Sequence, residues 1–394
     1  MSGGAEARLD RLADFLRSAR DEMLADLSGY VGVETPSDDL AALARGRDWV
    51  RTWLPRRLGA GAGVQVAAGG GYGDTLVLDH PGTGRSAGDA PVVVLAHYDT
   101  VWPVGTLDQL PFDVTGDTIR GPGVFDMKAG LVQAVWAIRA VDALRLPRPP
   151  VRLVVNGDEE VGSPASRPVI EAACRGARAV LVFEASADGA VKTARKGVGL
   201  FDLSLTGVEA HAGLDPTAGA SAVVALGEFI GYAGALADPR TGATVNVGVV
   251  AGGTRRNVTA GSAHAGLDVR VASIEEADRV AAELRRWRPG DPAVRAELDG
   301  GWNRPVMVRG PAVAALFDRA AALAGRLGFT LRETAVGGAS DGNFAAALGL
   351  PVLDGLGAVG AGAHARHEHA TVSGMTQRST LAAALLTDLA DPPC

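Results

Sequence analysis

PVVVLAHYD, residues 91–99, runs through a proline, four aliphatic residues and an alanine before it meets its first polar side chain at His97. A short β-branched run of this kind suits a strand buried on both faces of a parallel sheet. Downstream, MKAGLVQAVWAIRAVDAL (127–144) has helical periodicity. RLVVNGDEE (152–160) repeats the strand pattern, SRPVIEAAC (166–174) reads as a helix and AVLVFEAS (179–186) as a third strand. Strands alternating with helices imply βαβ units, and hence an α/β domain with a mostly parallel sheet and helices on both faces.

Near residue 190 the pattern changes. Residues 196–213, 244–254 and 262–273 alternate apolar with polar or small side chains, as half-exposed antiparallel strands do. Helical stretches at 217–237 and 275–288 lie among them. This marks an inserted α+β domain, expected at 193–306, inside a first domain made of 1–192 and 307–394. The first domain resumes with a helix at 311–327 and ends with one near 377–390.

Composition excludes several classes. With 394 residues, 47% hydrophobic and 21% charged, the chain can bury a large core. Its 53 glycines follow no collagen period and sit between apolar runs. A net charge of −7 argues against nucleic acid as a partner, because a polyanion wants a basic stripe. Two cysteines, Cys174 and Cys394, give neither a disulfide framework nor a zinc ribbon, and a reducing compartment fits best. The N-terminus lacks the apolar core of a signal peptide, and 217–237 is interrupted by Glu228, so a cytoplasmic protein without a membrane span is expected. There is no GxSxG elbow, and neither GGGYG (69–73) nor GG at 337–338 has the context of a dinucleotide loop.

The polar residues at the strand ends carry the chemistry. His97 and Asp99 close the first strand, Glu159 and Glu160 the second, and Glu184 the third, while Asp126 opens the intervening helix. Ligands bind at the carboxyl ends of the strands of an open parallel sheet, so these groups converge on one crevice. Taken singly, each has a plain structural reading: a strand cap at His97–Asp99, a helix N-terminal acid pair at Glu159–Glu160, an N-cap at Asp126. Together they do not, because burying several unpaired carboxylates is very costly. A metal site with nitrogen and oxygen donors removes that cost.

The motifs HYDTVWP (97–103), GPGVFDMKAG (121–130), NGDEEVGS (156–163), FEAS (183–186), HAGLDPTAGASA (211–222), GGTRRNV (252–258), GGASDGN (337–343) and GAGAHARHE (360–368) follow one another in order. In this order they resemble the dizinc metallopeptidases that include glutamate carboxypeptidase, aminoacylase, acetylornithine deacetylase and succinyl-diaminopimelate desuccinylase. The resemblance covers the chain from about residue 90 onward. It implies two zinc ions per subunit, with cobalt or manganese as alternatives. His97 and Glu184 would each bind one zinc as terminal ligands, Asp126 would bridge the two ions, and Glu160 and His364 would complete the second metal. Among the C-terminal histidines His367 is the alternative to His364. Glu159 matches the general base, Asp99 the carboxylate behind His97, and His211 a histidine that reaches across a homodimer to polarise the scissile carbonyl. Asn257 and Arg270 match positions near the substrate, and Lys196 and Arg304 add basic residues for its carboxylate. Where the family often has a second Asp after the bridging one, this chain has Met127. The segment GGWNRPVM (300–307) resembles the glutamate carboxypeptidase branch. The implied substrate is a peptide or N-acyl amino acid with a free carboxylate.

Overall fold

The computed structural model describes residues 2–59 and 63–391; Cys394, which the sequence reading left without a role, lies outside them. The chain separates into two compact units: residues 1–194, 309–336 and 340–394 form the first, and residues 195–308 with 337–339 the second.

The first unit is built on a six-stranded sheet. Its order is Val64–Ala67, Gly73–His80, Val151–Gly157, Val92–His97, Ala179–Val182, Val352–Leu353. The last four run parallel, and the first two join antiparallel at one edge. The strand Val92–His97 is buried throughout, which explains its uninterrupted aliphatic run. Its side chains alternate between two apolar layers. Val92, Val94 and Ala96 belong to a core shared with the helices Ala129–Ala143 and Val372–Asp388. Val93 and Leu95 are equally buried but face the other side. Parallel register sets His97 opposite Asn156 and Leu95 opposite Val182. The strand ends that precede Asp99, Glu159 and Glu184 therefore lie along one edge of the sheet.

The last helix starts earlier than the apolar period indicates, at Val372 rather than near 377. Thr371 supplies the reason: its side chain accepts from Gly374 N and caps the helix.

The second unit is a four-stranded antiparallel sheet in the order Thr244–Gly252, Ser262–Val271, Gly197–Thr206, Arg295–Arg304. One face carries Phe201, Leu203, Leu205, Leu267 and Val269 into a core with Phe229 of helix Ala222–Gly234 and Leu284 of helix Ile274–Arg286. The fourth strand escaped the sequence reading, because Gly300 and Gly301 interrupt its alternation.

Candidate metal centre

His97 is the last residue of its strand, and three short segments bring carboxylates to it. A kinked turn, Val124–Lys128, carries Asp126, and the Asp126–Met127 peptide is cis. A single 3-10 turn, Glu159–Val161, follows the strand Val151–Gly157. Glu184 stands two residues past the end of Ala179–Val182. The fourth contribution, His364, comes from a turn near the C-terminus in which its backbone takes a φ of 60°.

The donor atoms form a chain. His97 Nε2 is 3.5 Å from Glu184 Oε1 and 3.4 Å from Asp126 Oδ1. The other oxygen, Asp126 Oδ2, is 3.5 Å from His364 Nε2, which is 3.1 Å from Glu160 Oε2. Asp126 therefore turns one oxygen to each histidine. Glu159 lies with His97 and Glu184 within a cluster whose donor atoms are all inside 4.8 Å of one another, and His97, Asp126 and Glu160 form a second such cluster. Of the three C-terminal histidines, His364 is the one turned to these carboxylates. His369 instead donates from Nδ1 to the carbonyl of His367.

These distances fit metal ligands better than ion pairs. Two donors on one tetrahedral ion, each about 2.0–2.2 Å from it, stand about 3.3–3.5 Å apart. Hydrogen bonds from ring nitrogen to carboxylate would close to about 2.7–2.9 Å. His97 Nε2 and Glu160 Oε1 are buried atoms without a hydrogen-bond partner, a state that costs about 1–3 kcal/mol each unless something fills it. The opposite nitrogen of His97 is engaged: Nδ1 donates to the carbonyl of Asp99 at 3.0 Å. Nε2 is thus the ring nitrogen turned to Asp126 and Glu184, the one that would exchange its proton for a cation.

The Asp99 carboxylate is 3.3 Å from His97 Nδ1, but its closest bonds are elsewhere. It accepts from Ser37 Oγ at 2.8 Å and from the backbone N–H groups of Glu159 and Glu160 at 3.2 and 3.1 Å. Asp99 thus ties the turn bearing both glutamates to the His97 strand. Glu368 does the same for the Asp126 turn, accepting from Trp102 Nε1 and from three backbone N–H groups at 123, 125 and 126. In the sequence Glu368 served only to fix the spacing of a motif. Its contacts lie more than 240 residues away along the chain, and no local pattern signals them.

Crowded charge shifts the proton affinity of these groups. Burial alone would lower the His97 pKa, but Asp126 and Asp99 outweigh it and raise it well above its ordinary value. His364 is raised to about 10 by Asp126 and Glu160. Burial, with the charges of Asp126 and Glu159, pushes Glu160 up to about 7 against the pull of His364 and His97. Burial also works to raise Asp126, yet the two histidines hold it below the usual carboxylate range. The cluster gathers negative charge that wants a cation.

The remaining candidates belong to the second unit. His211 is exposed, and its Nδ1 accepts from the N–H groups of Gly213 and Leu214 at 3.1 Å each. The ring proton therefore sits on Nε2, which faces outward as a donor. Asn257 is beside it, its backbone carbonyl accepting from Ala212 N. Arg270 holds Asp268 with a bidentate fork and donates to the Gly337 carbonyl. Lys196 donates to the Gly242 carbonyl, and Arg304 is buried. Trp136 is core, its indole donating to Asp26. Burial pushes the Cys174 thiol up to about 12, which suits an inert packing residue.

Comparison with known proteins gives the family of the chain. The pattern of peptidase family M20/M25/M40 matches residues 93–388. Carboxypeptidase G2 of Pseudomonas sp. strain RS-16 is 28% identical over 383 residues, 95% of this chain and 91% of that protein. Acetylornithine deacetylase of Myxococcus xanthus is 29% identical over 233 residues, 55% of this chain and 60% of that protein. Among solved structures, aminopeptidase PepT from Bacillus cereus superposes with a TM-score of 0.78 at 20% identity, covering 94% of this chain and 99% of that one, a likeness of fold.

Proposed function

The chain belongs to peptidase family M20/M25/M40, and from that premise we propose that this metallopeptidase hydrolyses the amide bond next to a C-terminal carboxylate. The observation that carries the reading is the Asp126 carboxylate, with one oxygen toward His97 and the other toward His364. A carboxylate so placed suits two cations side by side. His97 and Glu184 would hold one, His364 and Glu160 the other, and Asp126 both. Zinc suits these nitrogen and oxygen donors, and cobalt or manganese could replace it. When bound, the ions supply Lewis acidity, which makes water acidic enough to attack near neutral pH and polarises a carbonyl oxygen.

The chain's own residues do the rest. The Glu159 carboxylate takes one proton from the attacking water and returns it to the departing amine, so that amide and water become acid and amine. Asp99 holds Glu159 in place through its backbone N–H. The outward Nε2–H of His211 donates to the oxyanion as the carbonyl becomes tetrahedral. Asn257, beside His211, would orient the same substrate. Arg270, Lys196 and Arg304 are three of the basic residues of that unit, and the substrate carboxylate is assigned to them as a group.

Three further features belong to this reading. The chain forms a homodimer through the second unit. It acts on a peptide or an N-acyl amino acid, glutamate being the favoured C-terminal residue. It resides in a reducing, cytoplasmic compartment, a placement that rests on cysteine usage. No helix among the described residues is long and apolar enough to cross a membrane.

The test is amine release from peptidyl-glutamates, N-acetyl amino acids and their carboxamide-blocked analogues, using zinc-loaded protein and its Glu159→Gln variant. Fast release from peptidyl-glutamates, abolished by blocking the carboxylate and reduced by several orders of magnitude in Glu159→Gln at unchanged metal content, is expected. Equal rates on blocked substrates would sink the carboxypeptidase reading. A preference for N-acetyl amino acids would place the enzyme with the deacylases instead.

A further inference from the structure

Glu368 is buried at 4% exposure, and its carboxylate receives four N–H donors. Oε2 accepts from Trp102 Nε1 at 2.7 Å and Gly123 N at 2.9 Å, and Oε1 from Phe125 N at 2.9 Å and Asp126 N at 3.1 Å. Three of these donors are consecutive or near-consecutive amides of the turn that presents Asp126. At its other end Glu368 is fixed to the turn that presents His364, since Glu368 N donates to the Ala365 carbonyl and Ala365 N to that of Gly362. One side chain thus spans the two segments whose side chains meet at Asp126 Oδ2 and His364 Nε2, 3.5 Å apart.

We propose that Glu368 is a positioning residue that locks the Asp126 turn to the His364 turn and so sets up the second cation position, that of Asp126, Glu160 and His364. The proposal rests on the two-cation reading above. His97 and Glu184 stand at the ends of sheet strands and do not need this brace. His364 and Asp126 both lie on irregular turns, and a carboxylate that collects several backbone N–H groups is the means of holding such turns rigid.

Glu368→Gln preserves shape but sets an NH2 donor against the two N–H groups that one oxygen now receives, so two of the four bonds are lost. Two readouts decide the matter. In metal-free protein, amide exchange of the 121–128 segment is expected to quicken about tenfold or more while the thermal midpoint stays within a few degrees. In stepwise zinc or cobalt titration, the second ion is expected to weaken about 10- to 100-fold with the first nearly unchanged. Glu368→Asp, which keeps the charge on a shorter arm, should recover part of both effects. Unchanged exchange at 121–128, or equal weakening of both ions, overturns the proposal. A wild-type protein that binds one ion only overturns the two-cation reading, and the exchange result then still judges the brace.

Discussion

Asp126 shows how a single residue organises the centre. Its two oxygens face His97 and His364, and the donor-to-donor distances of 3.1–3.5 Å are those of groups waiting for a shared cation. Without a cation the same groups must hold protons. His97 is raised well above its ordinary 6.5, His364 to about 10 and Glu160 to about 7 from 4.5. Each of these folded-state values is raised, so the folded metal-free chain binds more protons than the unfolded one. Their stabilising contribution is full below the ordinary values and disappears as pH rises through the folded ones, between about 4.5 and 7 for Glu160 and about 6.5 and 10 for His364. Asp126 is lowered, and its opposite effect falls below pH 3.8. The thermal midpoint of metal-free protein should therefore fall from pH 6 to pH 9, while that of zinc-loaded protein should not follow it. Zinc uptake at pH 7 should release about two to three protons per chain, one from each histidine and a half share from Glu160. Calorimetry in buffers of different ionisation enthalpy measures the number. Release of less than one proton would mean that the histidines are neutral in the metal-free protein.

Elements reach the centre by close backbone approach, and Gly130 is one example. It opens the helix Ala129–Ala143, four residues after Asp126, and a Cβ there would lie 2.0 Å from the carbonyl oxygen of Phe183, the residue before Glu184. Gly130→Ala should cost about 1–3 kcal/mol of stability and weaken metal binding, because the helix can move only by separating Asp126 from Glu184. Gly325→Ala, in helix Pro311–Arg326, meets nothing within 4 Å and should be neutral or slightly stabilising, since alanine is the better helix former. Comparison of the two midpoints and of zinc affinity tests this, and equal effects would contradict it. The same packing logic explains what the sequence made legible. Strands buried on both faces are uniform aliphatic runs, so Val92–His97, Val151–Gly157 and Ala179–Val182 declare themselves, and polar residues at their ends are conspicuous. The two antiparallel strands on one side of the sheet are not uniform. Val64–Ala67 and Gly73–His80 are partly exposed and separated by glycines, and they pass as loop. The ligand spacings were legible because the strands fix them. The brace by Glu368 was not, because it depends on a tertiary approach between turns with no periodicity.

At the scale of the whole molecule, every residue of the metal centre belongs to the first unit, whereas His211 and Asn257 belong to the second. The second unit also carries surface that suits a two-fold contact. Thr244–Gly252 is a terminal strand of its sheet, with Val249 and Val250 exposed at 62% and 53%. Helix Ala222–Gly234 exposes Val223, Val224 and Ile230. A bare strand edge beside apolar helix residues is a liability in a monomer and an ordinary interface in a symmetric dimer. A homodimer joined there would share its second units between the two copies, and His211 would be available to the partner's centre. Two inactive proteins test the idea. Glu159→Gln lacks the proton-transfer carboxylate but keeps His211, and His211→Ala lacks the oxyanion donor but keeps Glu159. If His211 acts across the dimer, each mixed dimer contains one centre with both residues intact and one with neither. Mixing after subunit exchange should then restore activity in up to a quarter of all centres, since half of the dimers are mixed and each has one complete site. Each protein alone should stay inactive, and sedimentation should give twice the chain mass. If His211 serves its own chain, no mixed dimer gains a complete site. Absence of recovered activity in mixed dimers of proven composition would therefore return His211 to its own subunit.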